Sequence, residues 1–202
     1  MAERGLDYVV AVRPDISAHP GEAVPTVPER IGRTGAPRLP RYRAPVRSLK
    51  DLVTQAGRRR LRHCTWRQGS TGAMTSRFMA MEVRPAGVAA KKAALDKTGG
   101  RAGWDGVLAV ETLIAEWPPH HDEPTDYWLT SLPVDTALRH LVRMAKIRWR
   151  IEHDYREMKH GLGLDHFEGR TWRGWHHHVT LVTAAHAFLT LRRLDPKAQA
   201  PA

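Results

Sequence analysis

The segment DTALRHLVRMAKIRWRIEHDYREMKH, residues 135–160, has the spacing of apolar side chains that is typical of a long helix. Asp135 is its expected N-cap, and Gly161-Leu-Gly163 its expected end. On a helical wheel of about 100° per residue, its side chains separate into three faces. The apolar face is expected to pack on a core and consists of Met144, Ile147, Ile151, Tyr155, Met158 and Leu162.

The other two faces carry charge. The face opposite the apolar side is expected to meet solvent or a polyanion and contains Arg143, Lys146, Arg150, His153, Glu157 and His160. Between the two runs a stripe of Leu141, Ala145, Arg148, Glu152, Arg156 and Lys159. Two interpretations of this stripe stay open. Glu152 holds a divalent metal while Arg148 and Lys159 bind phosphate oxygens, or the stripe is a ladder of ion pairs that contributes roughly a few tenths of a kcal/mol per pair.

A second long helix is predicted from Trp172 to Arg193. Apolar residues lie on most of its circumference, so we expect it to be largely buried. These residues are Val179, Leu181, Val182, Ala185, Phe188 and Leu189.

The first half of the chain reads mainly as strands. Residues 6–12 (LDYVVAV) predict a buried strand, residues 17–46 a basic loop, and residues 48–56 a short helix with Ser48 as N-cap and Gly57 as its end. Residues 61–66 and 77–83 flank the turn-rich stretch 69–72, which predicts a hairpin. Two more strands are expected at 106–117 and 127–132, after a polar gap at 91–103 with no assigned element.

This pattern predicts four segments along the chain. They are a residual core strand (1–13), a basic loop and β-rich insertion (14–132), C-terminal helices (133–194) and a disordered tail (195–202).

Composition narrows the class of partner. Lys and Arg total 32 against 21 acidic residues, for a formal net charge of +11, which favours a polyanion such as nucleic acid. Cys64 is the single cysteine, so an intrachain disulfide and a multi-cysteine zinc site are excluded, and we interpret it as structural. No apolar run is long enough to span a bilayer, and we expect a cytoplasmic protein with no membrane partner.

The stretch R148-W-R-I-E152-H-D-Y-R-E-M-K159 resembles the signature helix of DDE-type transposases of bacterial insertion sequences. That helix reads Tyr, two residues, Arg, three residues, Glu, six residues, Lys. Arg148, Glu152 and Lys159 match, and Ala145 stands in the tyrosine position. The run L162-G-L-D-H-F-E-G-R-T-W-R-G-W-H-H-H-V-T-L and the segments E116-W-P and Y127-W-L-T-S-L-P are also similar to the DDE superfamily endonuclease branch, most strongly over residues 117–194.

The resemblance implies an α/β protein with an incomplete RNase H-like fold, a β-rich insertion and two long C-terminal helices. In that family two aspartates and one glutamate bind two Mg²⁺ ions, and the reaction is cleavage and transfer of DNA strands. Glu152 is the implied catalytic residue and metal ligand. The implied DNA-binding residues are Arg148, Lys159, Arg156, Arg170 and Arg173.

The family's two aspartates are expected upstream of Met1, so the chain is expected to be a truncated C-terminal portion that is inactive alone. Asp7 is not assigned to either position. Missing core strands would leave apolar surface exposed, which predicts poor solubility or a partner. Expected partners are insertion-sequence ends, target DNA, and a second copy or an intact transposase, with nucleoid association. A noncatalytic DNA-binding or regulatory remnant is the alternative, and half of a frameshifted product is a third possibility.

Several other motifs favour local roles. His176-His177-His178 with His186 suggests a metal site, but the spacing favours structural or phosphate-contacting histidines. Residues 120–123 (HHDE) are predicted to form a polar loop, and Asp105, Asp122 and Asp135 are expected in turns or caps. Trp172 and Trp175 either stack on DNA bases or pack under the helix, and packing is favoured for Trp175. Nucleotide hydrolysis and acyl transfer have no supporting motif.

Overall fold

Two compact units make up the chain, residues 1–146 and residues 147–202. The computed structural model describes residues 5–28, 40–69, 72–100 and 104–194. Seven strands and five α-helices lie within these ranges, so the architecture is mixed α/β, as expected. The predicted disordered tail lies outside the described residues, as does part of the predicted basic loop.

All seven strands belong to one sheet in the first unit. The strands are β1 (Val9–Val12), β2 (Ser17–Pro20), β3 (Arg47–Ser48), β4 (Arg62–Gly69), β5 (Gly72–Pro85), β6 (Glu111–Glu116) and β7 (Asp126–Thr130). Their order is β1-β7-β6-β5-β2-β3, and β4 pairs with the first half of β5. Every pairing between these strands is antiparallel.

Helices cover both faces of the central strands. On one face, α1 (Leu49–Ala56) packs its buried side chains against Leu113 and Leu129. On the other face, α3 (Leu138–Ala145) packs with Ile114 and Trp128. Because side chains alternate along a strand, β6 and β7 need apolar residues at successive positions to meet both helices. This explains why the stretch from Thr112 to Ala115 is continuously buried.

The short helix and the hairpin form as predicted. The Ser48 hydroxyl accepts a hydrogen bond from the Asp51 backbone N–H at 3.0 Å, which caps α1. Gly57, at φ 78°, ends the helix in a conformation that favours glycine. The β4–β5 hairpin pairs Arg62 with Phe78 and Gly69 with Gly72. The other predicted strands are also present but shorter: β6 covers part of 106–117, and β7 begins one residue before the predicted 127–132 and ends two residues earlier.

Three of the predicted assignments along the first unit's strands and α2 were wrong. The loop expected at residues 17–46 begins with β2, which pairs with β3 and β5 in the sheet. The strand at residues 6–12 was expected to be buried, but β1 lies at the sheet edge with Val10 exposed, because only β7 flanks it. The sequence predicts no helix or strand in the polar gap at 91–103, but α2 (Val88–Lys97) covers its first residues. This helix has no buried side chain, so its alanines and lysines form it through helix propensity rather than through an apolar face.

The predicted helix at residues 135–160 is two helices. The first, α3, ends at Ala145 and Lys146 caps it with φ −93° and ψ 5°, and α4 (Arg148–Leu162) belongs to the second unit. Asp135 is not the N-cap, since Ala137 holds that position. Lys146 forms an ion pair with Glu116 of β6, and this contact with the sheet is invisible to helical periodicity.

The second long helix, α5 (Trp172–Leu194), has the predicted bounds but not the predicted burial. Val182 is its buried residue, while Leu181 and Phe188 are 70% and 62% exposed. Within its unit α5 packs against α4, so one partner helix covers one side of a helix that is apolar on most sides. Leu181 and Phe188 therefore form part of an exposed apolar surface on this helix.

Candidate functional site

Glu152 and the cations around it lie on α4, which runs from Arg148 to Leu162. The Glu152 carboxylate is 3.5 Å from Nε of Arg148, one helical turn earlier. The two side chains are 67% and 87% exposed, so the pair contributes about 0–1 kcal/mol to stability. Both groups are therefore accessible to a ligand at little cost to the fold.

The described side chains around Glu152 do not form a magnesium site by themselves. In the described part of the chain, Glu152 belongs to no group of three or more metal-ligating side chains. One exposed carboxylate is too few for an ion that prefers several oxygen ligands, and a pair of ions needs more. The residues present do not fit the family's two-metal centre without ligands from elsewhere.

Further cations extend this exposed surface of α4. Lys159 Nζ lies 4.7 Å from the centre of the Tyr155 ring, a cation–π distance that orients the ammonium group near the helix surface. Arg156 is exposed between Glu152 and Lys159. The charged members of the predicted stripe therefore lie on α4, whereas Leu141 and Ala145 lie on α3 in the first unit.

The loop after α4 adds two more cations and an indole. Gly163, at φ 70°, ends α4 as predicted, and Arg170 and Arg173 are exposed on either side of the start of α5. Trp172 is 77% exposed and meets the His176 ring edge-on at 4.3 Å between centres. An exposed indole between two arginines has the composition of a surface that stacks on bases. For Trp172 the alternative of packing under the helix was wrong.

Trp175 has a more local role. Its ring meets Phe167 edge-on at 5.5 Å, and Phe167 also contacts the His178 ring at 5.4 Å. His178 Nε2 lies 2.9 Å from the Gly163 carbonyl oxygen. These contacts tie the loop to α5, which confirms a structural role for His178, although Trp175 remains 39% exposed.

The predicted core face of α4 was wrong. Ile151 and Tyr155 were expected to pack and are 67% and 49% exposed, while Glu157, expected in solvent, is half-buried beside α5. Arg193 donates to both Glu157 oxygens, at 2.9 and 3.0 Å. These bonds lower the pKa of Glu157 below its ordinary value. The face of α4 toward α5 is therefore polar, and charge pairing replaces the expected apolar contact.

Sequence reasoning missed the cluster that this polar face forms. His153, Asp154 and Glu157 place their ligand atoms within 4.8 Å of one another. From α5, His186 Nε2 approaches Asp154 at 3.8 Å and Glu157 at 3.3 Å. His186 was predicted to belong with His176-His177-His178, because no local spacing links His186 to residues on α4. The one sequence signal for this cluster was the spacing of Asp154 and Glu157, two acidic residues three positions apart on one helix.

The remaining polar candidates have the predicted local roles. Glu123, in the turn after β6, forms an ion pair with Lys50 at 2.6 Å, and the Asp105 carboxylate accepts a hydrogen bond from the Val107 N–H at 2.8 Å. Cys64 is buried among apolar side chains, and burial raises the pKa of its thiol. A high thiol pKa disfavours the nucleophilic thiolate, in line with a structural cysteine.

Comparison with known proteins gives one match. The family model described as DDE superfamily endonuclease matches residues 1–73. No curated protein and no solved structure is detectably similar to the chain. In the described residues, no helix is long and apolar enough to cross a membrane.

The match lies in a different part of the chain from the strongest resemblance. It covers β1 to β4 and ends before α4, so it includes neither Glu152 nor its flanking cations. The match concerns the N-terminal strands, whereas the helix signature stays a prediction from the spacing of residues on α4. The sequence of residues 1–73 thus supports the DDE superfamily endonuclease family.

Proposed function

We propose that this chain contributes to a DDE-type transposase, whose reaction is metal-dependent cleavage and transfer of DNA strands of an insertion sequence. The observation that carries the proposal is the family match at residues 1–73 together with the Arg148, Glu152 and Lys159 spacing on α4. An RNase H-like core is part of the proposal, supported by a sheet with helices on both faces.

Glu152 is the metal-ligating catalytic carboxylate in this proposal. Its exposure leaves the oxygens accessible, and its weak pairing with Arg148 can be exchanged for a metal and phosphate at little cost. Of the three carboxylates that the proposed metal centre requires, we assign Glu152 alone. The remaining ligands of Mg²⁺ are not assigned among the described side chains near Glu152, and we expect the 202 residues alone to be inactive.

The cations would hold the DNA. Arg148 and Lys159 lie one turn and two turns from Glu152 in opposite directions along α4, so they can contact phosphates on either side of it. Arg156 adds a third cation to this helix. Arg170 and Arg173 extend the contact to the start of α5, where exposed Trp172 can stack on an unpaired base.

A nicking assay on supercoiled DNA tests the catalytic part. The 202-residue chain with Mg²⁺ is expected to show no cleavage above a metal-free control. Adding a polypeptide that carries the two aspartates should restore cleavage, and Glu152→Gln should abolish the restored activity, while Glu168→Gln, an exposed acid outside the stripe, should not. Cleavage that Glu152→Gln leaves intact would remove Glu152 from the reaction.

The alternative function is a noncatalytic DNA-binding or regulatory protein, and the exposed cations on α4 and at the start of α5 favour it. Binding to duplex DNA should weaken steeply as salt increases, because phosphate contacts release counterions. Arg148→Ala should reduce the slope of log K against log salt by about 1. Arg13→Ala, which removes a cation already paired with Asp15, is the matched control and should change the slope less.

Restored cleavage that depends on Glu152 supports the transposase over the noncatalytic DNA-binding protein, because only the transposase requires Glu152. DNA binding without restored cleavage favours the regulatory protein. Salt-insensitive binding, or an Arg148→Ala slope equal to that of the parent chain, argues against DNA contact through α4.

A further inference from the structure

The polar cluster between α4 and α5 brings together four metal-ligating side chains. Three come from α4, namely His153, Asp154 and Glu157, with ligand atoms within 4.8 Å of one another. The fourth is His186 of α5, whose Nε2 lies 3.3 Å from Glu157 and 3.8 Å from Asp154. All four belong to the unit formed by residues 147–202.

These separations are close to those of a tetrahedral metal site. Zinc–nitrogen and zinc–oxygen bonds of about 2.0–2.1 Å place neighbouring ligands roughly 3.3–3.4 Å apart. The His186 contacts already have nearly this spacing, and His153 Nδ1 lies 3.8 Å from the Asp154 carboxylate. Small side-chain movements would bring Asp154, Glu157 and His186 to these separations, whereas His153 shares a group within 4.8 Å with the two acids but not with His186 and would have to move further.

His186 provides an observation independent of the acidic residues. Its side chain is 15% exposed, and its Nε2 atom is buried without a hydrogen bond of good geometry, although two carboxylates are near. A buried polar atom of this kind normally has a partner, and a metal ion would supply one. Imidazole nitrogen also favours zinc and other first-row transition metals over Mg²⁺.

The second unit has little else to hold its helices together. Among its described side chains, Leu164 and Val182 are the buried apolar ones. Small units with such limited cores commonly depend on a metal or another crosslink, and metal sites in helical bundles use side chains from facing helices. Metal binding here would join α4 to α5 where apolar packing is sparse.

We infer that Asp154, Glu157 and His186, with His153 as fourth ligand, form a structural site for a zinc-class divalent ion that fixes α5 to α4. The site does not include Glu152 and is independent of the proposed nuclease reaction. Arg193 competes for it, because its guanidinium occupies the Glu157 carboxylate.

Zinc titration of the metal-stripped full chain by calorimetry tests this site. The expected result is one Zn²⁺ per chain, with affinity lowered at least ~10-fold by His186→Ala or Glu157→Gln. His177→Ala and His160→Ala are matched controls on α5 and α4, exposed and outside the cluster, and should leave the affinity unchanged. Glu152→Gln should also leave it unchanged, which separates this site from the proposed catalytic one.

Two further measurements test the inference even if a ligand variant folds poorly. Arg193→Met alters no ligand and should tighten Zn²⁺ binding, because it removes the competing guanidinium. Excess Zn²⁺ should raise the melting midpoint of the parent chain by ~5 °C or more, followed by far-UV circular dichroism. Absent Zn²⁺ binding, tighter binding of Mg²⁺ than of Zn²⁺, weaker binding in Arg193→Met, or equal losses in His177→Ala and His186→Ala would each overturn the inference.

Discussion

The replacement Lys146→Met removes the cation that joins the end of α3 to the sheet. Lys146 forms an ion pair with Glu116 of β6, and their side chains are 23% and 8% exposed. The ammonium group also lies 4.9 Å from the centre of the Trp128 ring and 5.4 Å from that of Trp66. Methionine keeps most of the side-chain volume, so the main change is a buried carboxylate without its partner.

The expected loss follows from that burial. Removing one member of a buried ion pair costs about 3–5 kcal/mol, because the remaining charge stays out of water. The partial exposure of Lys146 lowers this cost, and the lost cation–π contacts add about 0.5–2 kcal/mol, part of which methionine recovers by packing against the rings. We expect a loss of about 3–4 kcal/mol, or roughly 6–16 °C in melting midpoint for a chain of this length.

Urea unfolding followed by far-UV circular dichroism measures the loss. The matched control is Lys50→Met, which removes a more exposed pair with Glu123 and should cost about 0–1 kcal/mol. The double variant Lys146→Met/Glu116→Leu should recover at least half of the loss, because it removes the uncompensated charge. If Lys146→Met costs no more than Lys50→Met, or if the double variant equals the sum of the single losses, the assignment of a coupled buried pair is refuted.

Three further predictions concern single positions. Gly21→Ala should lower the free energy of unfolding in urea by about 1–3 kcal/mol, because an added Cβ would lie 2.3 Å from the Glu82 Cβ. Gly161→Ala on α4 meets open space and should raise it by about 0.5–1 kcal/mol, and equal effects of the two substitutions would contradict the steric argument. Ser48→Ala should cost about 1 kcal/mol by the same assay and Ser48→Asp much less, since Asp also caps; matching losses would argue against the cap. Burial raises the pKa of Tyr8 from 10.0 to about 12, and the charge of Glu111 adds to the shift. The folded state therefore binds the phenol proton more tightly than the unfolded state, and the stability that this contributes is lost as pH rises from 10 to about 12. Tyr8→Phe should flatten the fall in stability over that range, and a fall as steep as in the parent chain would refute it.

Local chemistry was sufficient to predict several elements of the first unit. Ser48 and Gly57 bracket α1 with a hydrogen-bonding hydroxyl and a conformation that favours glycine, both of which depend on neighbours in sequence. The β4–β5 hairpin likewise follows from its glycines and the apolar runs beside them. Helix α2 was missed because it has no buried face, so the periodicity that reveals amphipathic helices was absent.

The candidate site was predictable only in part. The order of Arg148, Glu152 and Lys159 along one helix is a property of sequence spacing. Arg148 and Glu152 are exposed on α4 and Lys159 is half-buried, so at least the first two charges are accessible. The α4 face that packs was assigned wrongly, because hydropathy does not anticipate a polar interface. Glu157 lies at that interface through Arg193 and His186, which are distant in sequence.

Composition and local spacing account for the basic charge, the bounds of α1 and α5, the hairpin, and the charged residues of α4, since each depends on composition or on residues within a few turns of one another. Three other features became visible only in the fold: the helix at residues 135–160 breaks at Lys146, β1 is an edge strand, and His186 lies close to Asp154 and Glu157. These features arise from contacts between residues far apart in the chain. The energies of these contacts depend on which surfaces meet in the fold, and no pattern of neighbouring residues predicts this.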